Sequence, residues 1–151
     1  MKIDGIAHIQ ITAGRYAPAR AFYGELLPFL GLELIRDNDS GAMWLGGRTG
    51  VILSPPAPEY DGERFVQRRI GLHHICFNAR SRKDINAARA FVQTLDVPII
   101  RAPREDNFAP GYYSILFEDP DGVRIEINHV PKRGLLDPKP AKAKIKAPRQ
   151  A

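Results

Sequence analysis

From Tyr113 to Asn128 the chain reads YSILFEDPDGVRIEIN, two alternating stretches separated by Asp119-Pro120-Asp121-Gly122. That tetrad is turn chemistry: proline presets φ, aspartate bonds back to the local backbone, and glycine takes the positive φ a reversal needs. After the turn the period is two, with Val123, Ile125 and Ile127 on one face and Arg124, Glu126 and Asn128 on the other. A carboxylate on the polar face of such a strand is ordinarily solvated. Its meaning changes only if other parts of the chain bring partners to the same face.

The earlier chain supplies a second, weaker version of the same pattern. Ile6 to Thr12 alternates as a strand, with Ile9 and Ile11 opposite His8, Gln10 and Thr12. Pro18 suits a first helical turn, and Ala19, Phe22, Tyr23, Leu26 and Leu30 follow at helical spacing until Gly31. Strands are expected over Leu32 to Arg36, Ala42 to Leu45 and Val51 to Ser54, the last two as a hairpin across residues 46–50. A proline-marked, charged linker covers 55–69. The order then recurs: a strand over Leu72 to Asn78, a helix capped by Ser81 with Asp84 three residues on, a strand over Pro98 to Arg101, and the hairpin first described.

The two halves also match residue by residue, in the same order. His8-Ile9 corresponds to His74-Ile75, Ala19-Arg20-Ala21-Phe22 to Ala88-Arg89-Ala90-Phe91, and Gly50-Val51 to Gly122-Val123. The expected architecture is α+β: two tandem βαβββ modules, residues 1–54 and 70–131. They form an eight-stranded cup-shaped mixed sheet with the helices on its outer face.

Composition adds three limits. The chain has 44% apolar residues, enough for a core, and a single cysteine, Cys76, which excludes an intramolecular disulfide and fits a reducing, cytoplasmic setting. No apolar run approaches the roughly 18 residues of a spanning helix, and the first residues lack a signal-peptide pattern. The net charge of +5 comes from residues 132–151, whose seven Lys/Arg and one Asp give +6 while the rest of the chain nets −1; this segment is expected to be a disordered basic tail, so neither membrane nor nucleic acid is expected as a partner.

By the repeat, His8 and His74 face the same way as Glu126, away from the helices. Two imidazoles and one carboxylate with open positions suit Fe(II) and related divalent ions, so His8, His74 and Glu126 are the expected metal ligands. His73 alternates to the helix side and is the lesser candidate. His129 falls on the Val123 side. Cys76 faces the cup and reads as a small packing residue. Arg124, on the Glu126 face, is a candidate contact for an anionic substrate group or for a carboxylate of the protein itself. Residues 101–112 read as a long lid-like loop, making Arg104, Asn107, Tyr112 and Tyr113 candidate substrate contacts.

These features, the tandem units with a histidine on each first strand and DPDGxxIE in the second, resemble the vicinal oxygen chelate superfamily. It comprises glyoxalases, extradiol dioxygenases, epimerases, fosfomycin-resistance transferases and bleomycin-resistance proteins. The resemblance implies one bound divalent ion (Fe, Mn, Zn or Ni), a small oxygenated substrate, a homodimer, and Lewis-acid chemistry in which Glu126 is the catalytic carboxylate. The reaction could be that of a lyase, isomerase, transferase or dioxygenase. Glyoxalase I and its relatives carry a fourth ligand, Glu or Gln, on the last strand of the first unit. The Gly50–Gly122 match puts Ser54 there, which argues against glyoxalase chemistry and leaves Ser54 as a substrate contact. Leu116 stands where extradiol enzymes have a tyrosine. The alternative function is a metal-free, ligand-sequestering protein of the bleomycin-resistance type.

Overall fold

The computed structural model describes residue 3 and residues 5–131; the basic segment from residue 132 lies outside them. The order is β1 (His8–Thr12), α1 (Tyr16–Phe29), β2 (Glu33–Asn38), β3 (Gly41–Gly46) and β4 (Thr49–Ser54). A short 3-10 turn at Pro58–Tyr60 leads on to β5 (Ile75–Asn78), α2 (Arg82–Val92), β6 (Ile99–Glu105), β7 (Tyr113–Glu118) and β8 (Arg124–His129). The two βαβββ units are therefore present. Their strands order as β1-β4-β3-β2 and β5-β8-β7-β6, with β1–β4 and β5–β8 parallel and the remaining pairs antiparallel.

The sheets are two, not one. Among the described residues no ladder joins them, so β1 and β5 are both edge strands and the expected continuous eight-stranded sheet is not closed within the chain. What unites the modules lies on the helix side, where one apolar cluster takes in both halves: Ile11, Trp44, Val51 and Leu53 from the first sheet, Ile75, Ile115, Phe117 and Ile125 from the second. Burying these side chains, at about 1.5–3 kcal/mol each, is the main force holding the modules together.

Local sequence explains the helices. α1 ends in a Schellman motif: Leu32 N donates to Leu27 O and Gly31 N to Pro28 O, with Gly31 at φ 85°. Pro28 lies in the last turn of α1, and Phe29 stacks on Phe91 of α2, centroids 4.0 Å apart. α2 begins where Ser81 Oγ accepts from Asp84 N at 3.2 Å, the capping arrangement expected there. No described helix is long and apolar enough to cross a membrane.

The second hairpin turn clamps the modules. Asp119, almost fully buried, accepts the Tyr23 hydroxyl of α1 at 2.8 Å and the backbone amides of Asp121 and Val123 at 2.9 and 2.8 Å. Arg15 Nε meets Asp121 Oδ1 at 3.0 Å, and another Arg15 nitrogen donates to Pro120 O. Burial pushes the Asp119 carboxyl above its usual range while Tyr23 and the amides draw it down, and burial raises the Tyr23 phenol well above its ordinary value. The linker docks here too, through Gly62 N to Gly14 O and Phe65 N to Asp121 O. Gly14 is required by this approach, since a Cβ on it would collide with Glu63 O.

Candidate functional site

β8 presents Ile125 and Ile127 to the core, with Val123 just before it also buried, and Arg124, Glu126 and Asn128 to the opposite face. On that face Glu126 lies between Cys76 of β5 and Leu116 of β7, its direct cross-strand neighbours. Its carboxylate is 6% exposed and fully engaged. Oε1 accepts Arg101 Nη2 and the Tyr112 hydroxyl, each at 2.9 Å, and Oε2 lies 3.1 Å from His74 Nε2. Arg101 is fixed in turn by Asp106 at 3.0 Å.

Arg101 was not among the residues expected at the site, and the backbone shows why. Ile99 pairs with core-facing Phe117, so strict alternation would turn residue 101 to the core as well. The β6–β7 register shifts between Ile99 and Arg101, pairing Arg101 with Leu116 on the cup face. A second shift before Arg104 accompanies the extension of β6 to Glu105, so residues 101–105 of the expected lid loop are strand and residues 106–112 form the connection. Tyr112, at its end, reaches Glu126 as described. Tyr113 instead begins β7 facing the helix layer, where its hydroxyl donates to Asn86 Oδ1 at 3.0 Å. Arg104 and Asn107 are exposed and make no side-chain hydrogen bond or ion pair among the described residues.

Arg124 Nε is 3.3 Å from Glu118 Oε1, so its internal partner is present. Cys76 is exposed as a residue, but desolvation of its sulfur and the cross-strand Glu126 carboxylate push the thiol up to about 12, against a redox or nucleophilic role. Tyr112 is raised too, by burial first and also by Cys76 and Glu126, so its phenol stays protonated and donates to Glu126. His129 Nδ1 lies 3.2 Å from Ala79 O, a structural contact. β5 starts only at Ile75, so the strand alternation used to set His73 aside does not extend to it: His73 Nδ1 is 2.7 Å from His74 Nδ1.

His8 begins β1 in the other sheet, exposed, in a row with Gly50 of β4 and Leu45 of β3. It does not join His74 and Glu126 within the chain: no group of three or more His, Cys, Asp or Glu able to hold an ion forms among the described residues. Ser54 Oγ accepts Gln10 Nε2 at 2.9 Å. Its assigned equivalence to Glu126 needs correction. Ala13 N donates to Ser54 O as Ala79 N donates to Asn128 O, so Ser54 corresponds to Asn128 and the counterpart of Glu126 is Ile52. The Gly50–Gly122 match misled because the joining turns differ in length, two residues at Gly47-Arg48 and five between Glu118 and Arg124.

The family model for the Glyoxalase/Bleomycin resistance protein/Dioxygenase superfamily matches residues 5–127. The chain belongs to this superfamily. The uncharacterized protein YaeR of Escherichia coli is 32% identical over 127 residues, 81% of this chain and 93% of YaeR. Among solved structures, a candidate glyoxalase of Bacillus halodurans superposes with a TM-score of 0.72 at 24% identity, covering 84% of this chain and 96% of that one. The lactoylglutathione lyase of Agrobacterium tumefaciens gives 0.64 at 22%, covering 85% and 95%. At such identities these two likenesses speak for the glyoxalase fold, as two tandem βαβββ modules. The superfamily includes enzymes and commonly uses a divalent metal.

Proposed function

We propose that this glyoxalase-superfamily chain is a divalent-metal-dependent enzyme acting on a small oxygenated metabolite. His74 and Glu126 supply two protein ligands and His8 of a second copy the third. The observation that carries the reading is the 3.1 Å separation of His74 Nε2 and Glu126 Oε2. Two donors each at about 2.1 Å from one ion and at right angles stand about 3 Å apart, and imidazole with carboxylate is a donor set that Fe, Mn, Zn and Ni all accept. The pair therefore fits half of a metal site. The other half is sought in a second copy because β1 and β5 are both edges and because Leu45, in the His8 row, is 41% exposed.

A bound divalent ion would supply Lewis acidity toward substrate oxygens. The chain's own residues do the rest. Arg101 and Tyr112 fix the plane of the Glu126 carboxylate by occupying Oε1, leaving Oε2 as its ligand oxygen. A carboxylate so engaged is a poor general base. Ile52, at its counterpart, offers no proton acceptor, so proton shuttling of the lactoylglutathione lyase kind is expected to be weak. We expect slow turnover of the methylglyoxal–glutathione hemithioacetal by metal-loaded wild type and a gain in Ile52→Glu but not in Ser54→Glu. Rapid wild-type turnover contradicts this assignment.

One observation favours a metal-free, ligand-sequestering cup instead: Arg101 already neutralises Glu126. Elemental analysis of protein purified without an affinity tag separates the readings. The enzyme reading expects about one divalent ion per chain and its loss in His74→Ala; an ion-free protein that still binds small ligands supports sequestration.

A further inference from the structure

His73 lies outside the proposed ligand set yet touches it. Its Nδ1 is 2.7 Å from His74 Nδ1, with ring centroids 4.9 Å apart and planes crossing at 78°. Adjacent residues on a strand point to opposite faces and cannot meet in this way. They meet because the segment before Ile75 is not yet strand, and the main chain is held there by Gln67 Nε2 donating to His73 O at 2.9 Å. His74 is consequently engaged at both ring nitrogens, Nε2 by Glu126 and Nδ1 by His73.

Resting on the metal reading above, we propose that His73 is the positioning residue of His74, accepting its Nδ1–H whenever Nε2 serves as the metal ligand. A neutral imidazole carries one proton. When Nε2 gives its lone pair to a cation, that proton must sit on Nδ1, where it needs an acceptor that also holds the ring plane. The acceptor in place is His73 Nδ1, which requires His73 to carry its own proton on Nε2. Without a cation the assignment reverses: His74 Nε2–H points at Glu126 Oε2, and His74 Nδ1 accepts from His73 Nδ1–H. The pair carries two protons in both arrangements, so the same contact serves each state with both tautomers exchanged and no proton gained or lost. Metal ligands orient best when such an outer partner is present, and its removal typically weakens metal affinity about 10–100-fold.

The test is titration of the full-length chain with Co²⁺, followed by its visible absorption, for wild type, His73→Leu, His73→Ala, His73→Asn, His73→Gln and His74→Ala, with melting temperatures in parallel. Leu and Ala offer no acceptor, whereas the amide oxygen of Asn or Gln does. We expect the Leu and Ala variants to bind Co²⁺ about 10–100-fold more weakly at unchanged melting temperature, and Asn or Gln to recover most of the loss. A merely structural role would move stability and would not be rescued by an amide. If His74→Ala loses the ion while the Leu and Ala variants bind as tightly as wild type, or if neither amide restores what they lose, the positioning role is wrong and the metal reading stands. If wild type binds no Co²⁺, or His74→Ala binds as wild type does, the metal reading itself fails.

Discussion

Glu126→Ala is expected to abolish divalent-metal binding and to lower stability by about 2 kcal/mol. Two effects are superposed. The substitution removes the one carboxylate of the proposed three-ligand set, and the neutral imidazoles left, His74 and His8 of a second copy, hold a divalent ion poorly. It also strands the groups that the carboxylate satisfies: Arg101, whose side chain is 16% exposed, and the buried Tyr112 hydroxyl. Removing one member of a buried pair costs about 3–5 kcal/mol, and retention of the Arg101–Asp106 contact reduces that here. Glu126→Gln separates the effects, because its amide oxygen can still accept from Arg101 and Tyr112. Metal loss should be as complete, with stability within about 1 kcal/mol of wild type. Metal retention in the glutamine variant contradicts the ligand assignment.

Asp119→Ala is expected to destabilise the chain by about 3 kcal/mol, roughly 6–12 °C in melting temperature for a domain of this size. Three bonds are lost at once, the Tyr23 hydroxyl and the amides of Asp121 and Val123, and their donors are left inside the protein. The amides shape the turn and the hydroxyl ties it to α1, so both the hairpin and the clamp between modules weaken. Tyr23→Phe, losing one bond, should cost about 1 kcal/mol. Chemical denaturation of the three proteins measures this, and a loss under about 0.5 kcal/mol in Asp119→Ala would show that the turn is not a structural tie.

Much of the fold was readable because local rules and tertiary packing agree. Alternation in β8, the Asp119–Gly122 turn, the Ser81 cap and the Gly31 stop each rest on chemistry confined to a few residues, and all four recur in the structure. The inward direction of Glu126 followed from the same alternation, as did the membership of Cys76 in that face. What was not readable depended on register. A bulge re-aims Arg101, a short β5 frees His73 from strand geometry, and unequal turns displaced the Ser54 equivalence by two residues. Period-two patterns are blind to such shifts, because an offset of two preserves every face and a bulge leaves no compositional mark. Tyr112 and Tyr113 show the limit plainly: both looked like lid residues, but β7 begins between them and sends one to Glu126 and the other to Asn86. The separation of the two sheets was equally hidden, since which edge strands pair is decided by packing of the modules.

The shared metal site proposed above takes His74 and Glu126 from one copy and His8 from another. Its most direct test is the metal content of dimers formed by mixing His8→Ala chains with Glu126→Ala chains after unfolding and joint refolding. Each variant alone should hold essentially no ion. In a mixed dimer one site loses both ligands and the other keeps all three, so the account predicts about one ion per mixed dimer. Mixed dimers as empty as the separate variants, while wild type holds its ion, would contradict it.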